Sequence, residues 1–140
     1  GSAGAALGRR AAELAGRTPY QLQLIGGDIY QNALSTVGPV ALAQIANLNI
    51  DVFFLAPGAV DTHAGWSNSN LVEALVKRAV VARSKSVVSI CDSAKWRQES
   101  FATIIALDGV SRWVVDRGLT AEGTAAAKAA GITLIYADGM

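Results

Sequence analysis

The sequence predicts an α/β protein: a three-layer fold with a mainly parallel sheet and helices on both faces. Three observations predict it. The apolar period switches repeatedly between the two of a strand and the 3.6 of a helix. Two strand-length runs, Val52 to Ala56 and Ser86 to Cys91, are nearly continuous in apolar residues, the pattern of strands covered on both sides. Finally, 140 residues with 51% apolar and 16% charged side chains suffice for one buried core and exclude a disordered tail.

The elements follow in order. Ala5 to Ala15 is alanine-rich with interspersed Arg9, Arg10 and Glu13, a helix stopped by Gly16-Arg17-Thr18-Pro19. Tyr20 to Ile25 alternates polar and apolar residues, a strand closed by Gly26-Gly27. Asn32 to Thr36 is a polar crossing. Gly38-Pro39 opens the next helix, with Leu42, Ile45 and Ala46 facing inward and Asn47 to Asn49 ending it. After the Val52–Ala56 strand, Pro57 to Asn70 reads as a long loop of the kind that often carries function. Asn70 caps a helix running to about Arg83. Ser86 to Cys91 and Trp113 to Val115 are strands ending at Asp92-Ser93 and Asp116. Thr120 caps a helix closed by Gly131, and Ile132 to Tyr136 is the last strand.

Composition narrows the function. Twelve basic against eleven acidic residues give a formal charge of +1, too little to hold a polyanion, so any anion site must be local. The longest apolar run, Val52 to Val60, holds a Pro-Gly pair and falls far short of the ~20 residues that span a bilayer. A lone cysteine, Cys91, and no secretory pattern suggest a reducing cytoplasm. The opening Gly1-Ser2 without methionine suggests a cloned fragment.

Ligands of such folds bind at the carboxyl ends of the strands. Those ends are Gly26-Gly27, Pro57-Gly58, Asp92 to Lys95 and Asp116. Asp92-Ser93-Ala94-Lys95 brings a carboxylate, a hydroxyl and an ammonium together within one turn, where Lys95 suits a phosphate. Turn capping by Asp92 and Ser93 with a solvated Lys95 explains the same residues. A Ser93 nucleophile with Lys95 as base lacks an oxyanion hole. Glu73 and Lys77, four apart on a helix, form either a surface pair or a cleft-facing one. From Lys77 to Arg97 stand six basic residues and one acid, Asp92; Arg83 and Lys85 serve the helix C-terminus, leaving Lys77 and Lys95 as the candidates for an anion. Gly26-Gly27 fits neither nucleotide-loop spacing and marks only a place of close backbone approach. His63 stands alone in a polar segment and reads as solvated, so no metal set is expected. Trp66 beside Ser67-Asn68 suits either a sugar ring or, more commonly, the covering of core or of a subunit interface.

Taken in order, Ile25-Gly26-Gly27, Val37-Gly38-Pro39, Asp51 with Phe53 to Gly58, Gly65, Glu73 with Lys77-Arg78, and Asp92-Ser93-Ala94-Lys95-Trp96 resemble the DeoR-type transcription regulators. The resemblance covers Leu24 to Ala137, most of their C-terminal effector-sensing domain. It implies a fold like that of ribose phosphate isomerases and CoA transferases, and a sensor for phosphorylated sugars or related metabolites. It further implies a cytoplasmic homo-oligomeric regulator or repressor that reads operator DNA through a winged helix-turn-helix. By that resemblance Lys95, Asp92 and Ser93 lie at the effector pocket, Glu73 and Lys77 line it, and Gly26, Gly27 and Gly58 shape its floor. Three departures are visible. No helix-turn-helix precedes Ala5, the first βα unit with its Gly-Thr-Thr phosphate loop is absent, and Ala56-Pro57-Gly58-Ala59-Val60-Asp61 replaces the usual Gly-Ala-Asp-Gly-Ile-Asp. The 140 residues are therefore expected to form one N-terminally truncated sensor domain with no catalytic role and no cofactor. Two rivals stand beside this reading. One is a sugar-phosphate isomerase with Glu73 or Asp92 as base and Lys77 or Lys95 stabilising an enediolate. The other is an oligomerisation module without ligand.

Overall fold

The computed structural model describes residues Ala3 to Asp138, and Gly1-Ser2 lie outside them. The chain forms two compact units, one reaching to Leu48 and one starting at Asn49.

The first unit holds helix α1 (Ala3–Arg17), strands β1 (Asp28–Tyr30) and β2 (Ser35–Val37), and helix α2 (Gly38–Ile45). Pro39 sits in the first turn of α2, where its missing N–H is unneeded, and Ala41 and Ile45 are the helix's buried residues. Ala46, expected inward, is exposed, because the inward row runs through Ala41 instead. Two further expectations are corrected here. The polar crossing Asn32–Thr36 is the turn and second strand of an antiparallel hairpin, β1 with β2. Tyr20–Ile25 is no strand: it pairs with no neighbouring strand among the described residues, and Tyr20, Leu22 and Leu24 are exposed. Alternation specifies which way side chains point, whereas a strand also needs a neighbour for its N–H and C=O groups.

The second unit carries the main sheet. Strands β3 (Ile50–Leu55), β6 (Ser84–Ile90), β8 (Arg112–Val115) and β9 (Thr133–Tyr136) run parallel in the order β3-β6-β8-β9. Helices α3 (Leu71–Ala82) and α4 (Ala121–Ala129) make two of the three crossovers, β3 to β6 and β8 to β9, giving the expected α/β architecture, a parallel sheet flanked by helices. Both helices start where capping chemistry dictates. Asn70 accepts from the Glu73 N–H, Thr120 accepts from the Gly123 N–H, and Gly131 closes the second helical segment at φ +78°.

The segment expected as one long loop, Pro57–Asn70, contains β4 (Ala59–Asp61) and β5 (Gly65–Asn68). With β7 (Ala102–Ile105), which the apolar pattern did not single out, they form a second, antiparallel sheet. Two of its polar residues, Ser67 and Asn68, are buried, and the Ser67 hydroxyl accepts from the Ser100 N–H at 3.0 Å. The turn into β5 demands glycine. Gly65 has φ +68°, and a Cβ there would run into the Ile105 carbonyl oxygen.

One face of the main sheet builds the core. Leu55, Val87, Trp113 and Val115 pack with Ala74 of α3 and Ala127 of α4. Trp66 stands edge-on to Trp113 at 5.1 Å between ring centroids, and each indole N–H is satisfied, by the carbonyls of Leu107 and Cys91 respectively. Trp66 is therefore a core residue, and His63 is exposed.

Candidate functional site

Two polar clusters occupy the carboxyl ends of β3, β6 and β8. The first is organised by Asn68 at the end of β5, only 6% exposed. Its side-chain oxygen accepts from Lys77 Nζ at 2.9 Å, and its amide nitrogen donates to Glu73 Oε2 at 3.1 Å. Lys77 Nζ also donates to the Ala56 carbonyl, one residue beyond β3, at 2.8 Å. Glu73 and Lys77 thus stand one helical turn apart on α3, and a buried amide bridges them to the strand end. Burial pushes the Lys77 ammonium below its ordinary range, and the Glu73 carboxylate opposes that shift. Gly58 lies beside them. Its N–H donates to the Ser67 carbonyl at 3.0 Å, and a Cβ there would meet Asn68 Oδ1 at 3.8 Å, an ordinary contact.

The second cluster follows β6. Asp92 caps a single 3-10 turn, Ser93–Lys95, by accepting from the Ala94 N–H at 3.0 Å. Ser93 is tied to Asp116, at the end of β8: its N–H donates to Oδ1 at 2.6 Å and its hydroxyl to Oδ2 at 2.7 Å, while the Gly118 N–H reaches Oδ2 at 3.0 Å. Those donors, the Ser93 amide foremost, hold the Asp116 carboxyl below the usual carboxylate range. Asp116 therefore staples two neighbouring strand ends. The Ser93 hydroxyl is turned to a carboxylate, and the stretch is a helical turn, not extended, so the pairing of Ser93 with a Lys95 base does not form.

Asn68 is the residue that residue-by-residue reading missed, together with the pairing of Asp116 with Ser93. Asn68 hides in a Ser-Asn-Ser-Asn stretch that looks like loop, and no local signal distinguishes it. Asp116 had a signal, its place at a strand end, but its partner is twenty-three residues away.

The basic run resolves into individual fates. Arg78 Nε donates to the Thr103 carbonyl at 2.6 Å and Arg83 to the Asn49 side chain at 2.7 Å. Lys85 pairs with Asp51 at 3.2 Å and Arg97 with Glu122 at 3.4 Å. With Lys77 bound to two acceptors, Lys95 is the one cation of the six whose side chain has no hydrogen bond or ion pair with the described residues. It stands half-buried at the rim. No group of three or more potential metal ligands occurs among the described residues.

In the first unit, Gly26 and Gly27 serve local packing. The Gly26 N–H donates to Gln44 Oε1 at 2.6 Å, and at Gly27, with φ +132°, a Cβ would stand 2.7 Å from the Val37 carbonyl oxygen.

A family model described as the DeoR C terminal sensor domain matches residues 9–117. The chain belongs to that family. The similar curated proteins are regulators: an uncharacterized HTH-type transcriptional regulator, YulB, of Bacillus subtilis (32% identity over 79% of this chain and 43% of that protein), the HTH-type transcriptional regulator GlpR of Haloferax volcanii (28%, 82% and 45%), and a putative aga operon transcriptional repressor of Escherichia coli O157:H7 (27%, 82% and 43%). The sensor domain spans less than half the length of these relatives. No helix among its described residues is long and apolar enough to cross a membrane.

Proposed function

We propose that these 140 residues act as one sensor unit that binds a phosphorylated sugar or related metabolite at the carboxyl rim of the main sheet. In the full-length regulator, a homo-oligomer, that binding would modulate operator DNA recognition by a domain outside this chain, without catalysis and in the cytoplasm. The observation that carries the reading is the fate of the basic run: five cations are committed to protein partners, and Lys95 is left available beside Asp92 and Ser93. An uncommitted ammonium on a short, stapled turn recognises a phosphate as a point charge, and the neighbouring carboxylate and hydroxyl suit sugar hydroxyl groups. Glu73, Lys77 and Gly58 form the adjoining wall, held in place by Asn68. Coupling to DNA requires only that the ligand favour one arrangement of subunits over another.

A thermal-shift panel tests this. Sugar phosphates should raise the melting temperature of the chain, their unphosphorylated sugars should not, and Lys95→Ala should erase the difference. Stabilisation by neither class would leave an assembly module. Turnover of a pentose phosphate, abolished by Glu73→Gln, would make the protein an isomerase.

A further inference from the structure

The chain just after Lys95 borders a cavity that none of the rim residues named so far lines. An isolated bridge between Val60 and Trp96 brings the end of β4 against this stretch, and Asp61, Thr62, Trp96, Arg97 and Glu122 surround about 280 Å³. Trp96 supplies the unusual feature. It is 8% exposed and tilts against Trp113 in the core, yet its indole Nε1 is buried with no hydrogen-bond partner among the described residues. A buried donor without an acceptor costs free energy, so folded chains rarely keep one. The same Nε1 lies at the start of α4, beside Glu122: a Cβ on Gly123 would stand 3.1 Å from it. The charges of the lining sort themselves. Arg97 pairs with Glu122 at 3.4 Å, which leaves Asp61 as the net charge. Asp61 Oδ1 accepts from the Ala64 N–H at 2.6 Å, and Oδ2 has no partner among the described residues.

We infer that this cavity holds the uncharged, hydroxyl-bearing end of the phosphorylated sugar, a placement that rests on Lys95 being the phosphate anchor, and that it selects monophosphates over ligands with a second anionic end. Position agrees, because Trp96 and Arg97 follow Lys95 directly in the chain. Chemistry selects the group. A hydroxyl serves both kinds of partner, its oxygen accepting from the Trp96 N–H and its proton going to Asp61. An ammonium has no acceptor to offer the indole. A second phosphate or a carboxylate would face Asp61 with no free cation beside it, since Arg97 is engaged by Glu122. Size agrees as well: about 280 Å³ is at the small end of ligand pockets, which run ~300–1,000 Å³, and suits one sugar unit.

Calorimetric titration of the 140-residue protein tests this with two matched pairs, glucose 6-phosphate against 6-phosphogluconate and fructose 6-phosphate against fructose 1,6-bisphosphate, and with methyl phosphate as the hydroxyl-free reference. In at least one pair the monophosphate should bind about tenfold tighter than its partner, and about tenfold tighter than methyl phosphate. Trp96→Phe keeps an aromatic ring in the core and removes the N–H. It should weaken the monophosphate about tenfold and leave methyl phosphate unchanged. Asp61→Asn keeps an acceptor for the Ala64 N–H and should shrink the discrimination against the second anionic end to under about threefold. Lys95→Ala should weaken every ligand. If Trp96→Phe alters no affinity while Lys95→Ala lowers them all, the cavity is not the sugar site and the phosphate anchor stands. Loss with Trp96→Phe but not with Lys95→Ala overturns the anchor on which the placement rests, and binding of none of the five ligands overturns both. Where Trp96→Phe lowers the melting temperature, Asp61→Asn decides, and unchanged discrimination in that variant overturns the inference.

Discussion

Replacing Asn68 by alanine tests the physical core of the rim most sharply. Asn68 is 6% exposed and holds two ionic partners at once, Lys77 at 2.9 Å and Glu73 at 3.1 Å. A hydrogen bond to a charged group contributes about 1.5–3 kcal/mol, so two amount to roughly 3–6. Both partners are half-buried and recover part of that from water, which leaves about 2–4 kcal/mol. All three tryptophans, Trp66, Trp96 and Trp113, lie in the unit that begins at Asn49, so urea unfolding followed by their fluorescence reports that unit alone. The midpoint should fall with the slope unchanged. Lys77→Met in the Asn68→Ala background should cost less than it does alone, with a coupling of about 1–2 kcal/mol, because the first change has already broken the shared bond. A loss under ~0.5 kcal/mol from Asn68→Ala, or strict additivity of the pair, would refute the argument that this amide organises Glu73 and Lys77.

Three further outcomes are expected. Burial pushes the Cys91 thiol up to about 11, so iodoacetamide at pH 8 should label it only on unfolding; rapid labelling of the folded chain would contradict its buried placement. The folded Asp116 carboxyl titrates below its ordinary value, so its contribution to stability is complete above that value and lost as pH falls through the lower, folded one; Asp116→Asn should flatten the acid limb of a stability-against-pH curve, and an unchanged limb would show that the staple contributes nothing. Gly65→Ala combines a left-handed backbone with a collision against Ile105 and should cost roughly 2–4 kcal/mol, whereas Gly58→Ala, meeting only ordinary contacts, should cost under ~1; similar melting temperatures for the two would disprove the turn geometry.

Local signals were legible where local chemistry decides. Asn70, Thr120 and Gly131 mark helix ends because capping involves residues within one turn, and the Val52–Ala56 run reads correctly as a strand, although the cover expected on both faces is not seen, Val52 and Phe54 being exposed. Long-range partners decided the rest. Ser67 and Asn68 look like loop but are buried β residues, because β7, thirty-odd positions away, covers them. Tyr20–Ile25 carries a strand's alternation and lacks a strand's neighbour. At the rim, the choice of Glu73, Lys77, Asp92, Ser93 and Lys95 followed from strand ends and helix spacing, and the structure sorts their partners. Lys77 is engaged by Asn68 and Ala56, Ser93 by Asp116, and neither partnership leaves a trace in nearby sequence.

In the proposed sensor, one uncommitted ammonium at the sheet's rim, that of Lys95, recognises a phosphorylated metabolite. Calorimetric titration of the best stabilising sugar phosphate into three proteins measures it directly: the unaltered chain, Lys95→Ala, and Arg97→Ala, which removes a cation two residues away that is already paired with Glu122. Binding lost with Lys95 and kept without Arg97 is the predicted result. Equal weakening by both substitutions, or none by either, would contradict it.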